Sequence, residues 1–157
     1  MILQTMPKGT HLCLLYSVAM LLEEDASILL RELGVDHTQK LWPHLPEPEC
    51  YRGVAMPEIQ DLLLMRKLYL SHVDAMPAIV SRVGCEPYNL YSLAIAGDRL
   101  YHYIRDQDSI IMCRTGKGVL HAVACNGTMC FDPIGREYQL SDLPYPIISV
   151  EILCKAV

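Results

Sequence analysis

The strongest pattern in the chain is an unbroken apolar run near its start. Residues 12–22 are almost all apolar and three acidic residues follow them. This predicts a helix from about Leu12 to Glu24 that is covered on several sides. A second helix is predicted over residues 26–33, because Gly34 stands where a helix commonly ends. The N-terminal part of the chain is therefore expected to be helical.

A proline-rich connection follows these helices. Three prolines within residues 42–53 fix φ and disfavour a helix, which predicts a stiff extended segment. The segment carries Trp42, the only tryptophan of the chain. We favour its packing beneath the domain, since tryptophan is costly to leave in water, over a role as one wall of a substrate cleft. Pro57 and the apolar residues after it predict a third helix over residues 57–67.

The second half of the chain has a β pattern. The dipeptide Asn126-Gly127 between two apolar segments is a strong hairpin signal, and Gly116-Lys117-Gly118 predicts a further tight turn. No repeat or linker divides helices from strands, so we predict a single α+β domain over residues 1–157, with N-terminal helices packed on a C-terminal antiparallel sheet. Strands are expected at residues 68–73, 110–114, 119–125, 128–131 and 147–154, a β-forming segment at 88–96, a helix at 77–83, and a helix or turn at 98–105.

Composition narrows the possible partners and the compartment. The formal charge is −5, and the lysines and arginines are scattered, which argues against nucleic acid as a partner. The seven cysteines are odd in number and form no CxxC pair, as expected in a reducing compartment. The apolar run is too short to span a bilayer and lacks a convincing cleavage site. We therefore expect a cytoplasmic protein with no membrane partner.

Three residues occur in the order that a thiol hydrolase requires. Cys13 begins the predicted first helix, whose unpaired N–H groups and positive dipole end favour a thiolate. His121 and Asp132 flank the predicted hairpin turn and are expected to lie nearly opposite each other. Asp132 would then orient His121, and His121 would serve Cys13 as a base.

Simpler interpretations exist for each residue. A lone cysteine on an apolar helix is most often a small core residue, so the hypothesis rests on the joint occurrence of all three. His11 is a competing base, but a residue so close to the nucleophile more often lines a cleft or caps a helix. A zinc site built from Cys113, His121, Cys125 and Cys130 is disfavoured, because His121 and Cys125 lie about 12 Å apart on one strand.

These residues also carry a resemblance to a known family. Gln4, Cys13 at the start of a long apolar helix, His121-Ala-Val and Asp132-Pro133 together resemble the papain-like cysteine peptidases. The chain looks most similar to the group that processes bacteriocin leaders and to its small phage-encoded relatives. Residues 42–53, with Pro-Glu-Pro and Arg-Gly, are similar to a segment of those phage members.

The resemblance implies a role for each matching residue. Cys13 would be the nucleophile, His121 the general base and acid, and Asp132 the residue that orients His121. Gln4 would donate its amide to an oxyanion hole together with the Cys13 backbone N–H. Gln4 precedes Cys13 by more residues than is usual in this family, so Thr10 or a backbone amide is the alternative donor.

The expected function is hydrolysis of a peptide or isopeptide bond in a protein or peptide substrate, through a Cys13 thioester. No cofactor or metal is expected, and the resemblance would place a phage-encoded member in the host cytoplasm. Two alternatives stay open. The same triad could deamidate or transamidate a glutamine side chain, or a catalytically silent papain-like scaffold could bind and inhibit a host factor. The sequence does not indicate the oligomeric state.

Overall fold

The computed structural model describes residues 1–74 and 98–156, and the helix predicted at 77–83 and the β segment predicted at 88–96 lie outside them. None of the helices in these two ranges is long and apolar enough to cross a membrane. The helices are α1 (Cys13–Leu22), α2 (Ala26–Leu33), α3 (Met56–Met65) and α4 (Asp98–Ile104), and the strands are β1 (Leu68–Asp74), β2 (Ser109–Arg114), β3 (Leu120–Cys125), β4 (Met129–Asp132), β5 (Arg136–Gln139) and β6 (Ile147–Lys155).

The strands form one antiparallel sheet. Within the described ranges its six strands follow the order β1-β6-β2-β3-β4-β5, and every neighbouring pair is antiparallel. The predicted α+β class with an antiparallel sheet is thereby confirmed. β6 lies inside the sheet, between β1 and β2, so it joins β1 to the strands β2–β5.

Each face of the sheet covers a separate apolar core. On one face, α1, α2 and α3 pack against Ile110, Ala122, Ala124 and Phe131. On the other face, α4 and Leu140 pack against Ile111, Val123 and Val150. Because β3 is covered on both sides, nearly all of its side chains are buried, and the strand is held rigidly.

Local sequence signals explain where α1 ends and where α2 begins and ends. Glu23 adopts a left-handed conformation (φ 55°) that ends α1, and its N–H bonds the carbonyl of Met20 at 3.3 Å. The Asp25 carboxylate then accepts the Ser27 N–H at 2.8 Å and caps α2. Gly34 ends α2 with φ 61°, a conformation that glycine tolerates best. The predicted extents of α1 and α2 are thus confirmed to within two residues.

One strand was not predicted. β5 spans four residues, three of them exposed, at the edge of the sheet. It lacks the apolar run by which the other strands are detected, since an edge strand needs to bury little. β5 pairs with β4 and thereby fixes the position of the strand that ends at Asp132.

Gly127 in the β3–β4 turn is expected to tolerate no side chain. Its φ is 92°, and a Cβ there would lie 2.4 Å from the backbone nitrogen of Asp106. Gly127→Ala should therefore lower the free energy of unfolding by about 2 kcal/mol or more, measured by urea denaturation. Gly116→Ala is the matched control, since nothing lies within 4 Å of its added methyl group. An equal effect of both substitutions would contradict this account of the turn.

Candidate active site

Cys13 lies at the first position of α1, and its side chain is 8% exposed. The residue before it, Leu12, supplies no side-chain cap to the helix. Among residues 1–74 and 98–156, the backbone N–H groups of Cys13, Leu14 and Leu15 have no hydrogen-bond acceptor. The thiol is therefore placed beside uncapped donors at the positive end of a helix, which favours negative charge on the sulfur.

His121 and Asp132 form a buried pair. The His121 ring nitrogen Nε2 lies 2.8 Å from Asp132 Oδ1, and Asp132 is fully buried. The same carboxylate accepts the Ile134 N–H at 3.0 Å and, through Oδ2, the Tyr145 hydroxyl at 3.0 Å. Asp132 is thus held by three partners, and its bond to Nε2 leaves Nδ1 of His121 available to Cys13.

The electrostatics of His121 follow from these contacts. Burial alone lowers the pKa of His121, but the hydrogen bond that Nε2–H donates to Asp132 and the interaction with the Cys13 thiol outweigh it and raise the pKa to about 9. His121 is therefore an imidazolium at neutral pH, with a carboxylate on one ring nitrogen and the Cys13 sulfur at the other. A cation in this position stabilises a thiolate.

A second thiol near the site is inert. Cys113 lies directly opposite His121 in the β2–β3 register, and its Sγ donates to the His121 carbonyl oxygen at 3.5 Å. Burial, followed by the nearby Asp132 and Cys13, raises the pKa of Cys113 to about 12. Cys113 thus stays protonated at neutral pH, and Cys13 is the thiol with an accessible cavity beside it.

Tyr145 belongs to the site but was not predicted from the sequence. Its ring packs edge-on against His121, with ring centroids 5.4 Å apart, and its hydroxyl bonds Asp132. Burial and the adjacent Asp132 raise the pKa of Tyr145, so the phenol keeps the proton that it donates. The available signal was its position between Pro144 and Pro146, which holds the backbone extended just before β6.

Two cavities reach the Cys13–His121 pair. The larger, about 560 Å³, extends from that pair to Trp42, Val54 and Met112, and we call it the Trp42 cavity. The smaller, about 360 Å³, extends to the β2–β3 turn and is called the Lys117 cavity. His11 lines both cavities and Thr10 lines the second, so the predicted cleft residues surround the predicted nucleophile.

The structure corrects the expected role of Gln4. Its side-chain amide donates to the Glu24 carbonyl at 2.6 Å and accepts the Ala26 N–H at 3.1 Å. These partners lie at the end of α1 opposite to Cys13, on a helix roughly 15 Å long. Gln4 thus joins α1 to α2 and donates nothing at Cys13, because its amide satisfies the turn between the helices. The Thr10 hydroxyl is also engaged and donates to the Pro7 carbonyl at 2.7 Å.

The favoured interpretation of Trp42 was also wrong. Trp42 is 47% exposed and lines the cavity beside Cys13 instead of packing beneath the domain. Cys50, which is almost fully buried, anchors the loop in its place, and its carbonyl accepts the Trp42 N–H at 3.2 Å. Gly53 brings the loop against the start of α1, since a Cβ there would lie 2.9 Å from the His11 carbonyl oxygen.

Among the residues that the structure describes, no group of three or more His, Cys, Asp or Glu side chains is placed to hold a metal ion. No model of a known protein family matches the chain, and no characterised protein matches its sequence. The chemistry assigned to the site therefore rests on the geometry of Cys13, His121 and Asp132.

Proposed function

We propose that the protein is a papain-like, cysteine-dependent hydrolase that cleaves a peptide or isopeptide bond through a Cys13 thioester. The observation that carries this proposal is the His121–Asp132 bond of 2.8 Å, with Cys13 and His121 lining the same open cavities. A residue that orients a base, a base, and a nucleophile are together the parts that nucleophilic acyl transfer needs.

The proposed reaction has two steps. The Cys13 thiolate attacks the carbonyl carbon of the substrate and forms a C–S bond, and His121 gives its proton to the departing nitrogen as the C–N bond breaks. A water molecule then loses a proton to His121 and attacks the thioester. The acid product leaves and Cys13 is restored as a thiolate beside protonated His121.

The backbone of α1 supplies the proposed oxyanion hole. The tetrahedral intermediate of each step carries negative charge on the former carbonyl oxygen, and Gln4 is engaged elsewhere. Among the residues that the structure describes, the N–H groups of Cys13 and Leu14 have no acceptor, so they are the donors proposed at the nucleophile. Two such donors, aided by the helix dipole, are a recognised means of stabilising this charge.

The decisive experiment incubates purified protein with a complex mixture of peptides and identifies new termini by mass spectrometry. We expect wild type to cleave peptides and Cys13→Ala to lose at least about 1000-fold of the activity. Cys154→Ala is the matched control, because this thiol lies on β6, is partly exposed and lines neither cavity. Equal cleavage by wild type and Cys13→Ala would exclude the proposal.

The same measurement separates hydrolysis from the second use of the thioester. A glutamine deamidase would raise the mass of the substrate by about 1 Da without creating new termini. A transglutaminase would join an added amine to the substrate, because an amine instead of water then receives the acyl group from the thioester. If either product were found, Cys13 would still be the proposed nucleophile, but the bond that it attacks would be a glutamine side-chain amide instead of a peptide bond.

A further inference from the structure

The two cavities that meet at Cys13 differ in charge. The Trp42 cavity is lined mostly by apolar side chains, and its one arginine, Arg52, is paired with Glu58 at 2.6 Å. Apart from His11 and His121, which line both cavities, its charged side chains therefore neutralise each other. With a volume of about 560 Å³ it has room for a large apolar side chain, which would be removed from water against Trp42 and Met112.

The Lys117 cavity has one charged side chain that the Trp42 cavity lacks. Lys117 borders it, and no acidic side chain is among the described residues that do so. Within residues 1–74 and 98–156, Lys117 makes no ion pair. In a chain whose formal charge is −5, this lysine gives the cavity a local positive charge.

The backbone holds Lys117 in place. Its turn is closed by the Thr115 N–H bond to the Val119 carbonyl at 2.9 Å and by the Gly118 N–H bond to the Thr115 carbonyl at 2.8 Å. The Arg114 guanidinium also donates to the Gly118 carbonyl at 3.1 Å. A turn fixed by three bonds holds the Lys117 backbone at the mouth of the cavity, so the turn itself needs no ordering when an acidic partner binds.

On the basis of the proposed hydrolase function, we infer that the preferred substrate is a peptide segment with two features. A large apolar side chain lies on one side of the scissile bond and enters the Trp42 cavity. An acidic side chain lies on the other side and binds Lys117. Cys13 and His121, which are among the residues that line both cavities, then lie at the bond to be cut.

The test profiles cleavage of the same peptide mixture by wild type, Lys117→Glu and Trp42→Ala. Wild-type sites should be enriched in Asp and Glu on one side and in large apolar residues on the other. Lys117→Glu should shift the ratio of acidic to basic residues by about tenfold towards basic ones. Trp42→Ala should weaken the apolar preference and leave the acidic one. Lys155→Glu makes the same charge change on β6, outside both cavities, and should leave the profile as in wild type.

The outcomes separate this inference from the proposed function. A switch from acidic to basic residues in Lys117→Glu, absent in Lys155→Glu, supports the charge assignment. Cleavage by wild type without acidic enrichment, or with enrichment that survives Lys117→Glu, overturns the substrate assignment and leaves the hydrolase intact. If wild type cleaves nothing and no peptide becomes attached to Cys13, the proposed function falls and the substrate assignment falls with it.

Discussion

Asp132→Asn is expected to lower the free energy of unfolding by about 3 kcal/mol at neutral pH. Burial lowers the pKa of His121, but the hydrogen bond to the fully buried Asp132 carboxylate, together with the contact with Cys13, raises it from its ordinary 6.5 to about 9. The difference corresponds to roughly 3 kcal/mol of stabilisation of the protonated ring. Asparagine has nearly the same shape but no charge, so it removes the ion pair while filling the space. In the variant, His121 can lose its proton and become neutral. The loss of stability is therefore smaller than the cost of leaving a buried charge without a partner.

The sign of the pH dependence makes this prediction specific. Because the folded-state pKa of His121 is raised, the stabilisation is complete below about pH 6.5 and is lost as the pH rises through about 9. The gap between wild type and Asp132→Asn in urea denaturation should therefore narrow progressively from about pH 6.5 and be nearly closed above about pH 9. Tyr145→Phe removes only the hydroxyl bond to Asp132 and should cost about 1 kcal/mol at all these pH values. A gap that stays constant with pH would refute the ion pair.

The elements around the site were predictable because each has a local cause. The apolar run that begins at Leu12 forces a covered helix, and the acidic residues after it end that helix. The Asn126-Gly127 turn forms because the Asn126 side chain accepts N–H groups from Thr128 and Met129 at 3.2 and 2.9 Å. Such signals lie within a few residues of one another, so the sequence alone reveals them.

The contacts that depend on strand register were not predictable in detail. β3 and β4 pair Ala124 with Phe131, and continuing this register sets Asp132 beside Val123, two residues from the expected partner His121. The His121–Asp132 bond is therefore diagonal across the hairpin. In β6, the alternation of the sequence predicts Ile148 on the same face as Val150 and Ile152. A bulge at Ile148 instead places Ile147 against the core that contains Val150. A shift of this kind follows from tertiary packing and leaves no mark in the residue pattern.

Distant contacts account for the remaining errors. Gln4 binds Glu24 and Ala26, which are 20 and 22 residues away, and nothing near Gln4 in sequence indicates that choice. In the loop of Trp42, the buried residue is Cys50, and Trp42 is exposed. The large size of tryptophan favoured the opposite arrangement. Side chains of both kinds are placed by the fold as a whole, whereas Cys13 is placed by its own helix.

The alkylation rate of Cys13 by iodoacetamide is expected to stay nearly constant between about pH 6 and pH 8.5 in wild type. Because its pKa is raised to about 9, His121 stays an imidazolium over this range and is the cation that the proposed reaction places beside the Cys13 sulfur. In His121→Ala that cation is lost, and the rate should rise about tenfold per pH unit, as for an ordinary cysteine with a pKa of about 8.5. At pH 6 such a cysteine is only about 0.3% ionised, so wild type should react roughly 100-fold faster.

Peptide mapping after a short exposure makes this comparison internal to each sample. Cys154 is partly exposed and distant from His121 in the sheet, where β6 and β3 are separated by β2, so its rate should be the same in both proteins at each pH. Dividing the Cys13 rate by the Cys154 rate removes differences in reagent and protein concentration. A wild-type ratio that is flat in pH and equal to that of His121→Ala would mean that His121 does not activate the thiol. The helix terminus would then be the remaining source of activation. An exposed helix end contributes only about 0.3–1 kcal/mol, which is too little to make a thiol strongly nucleophilic at neutral pH.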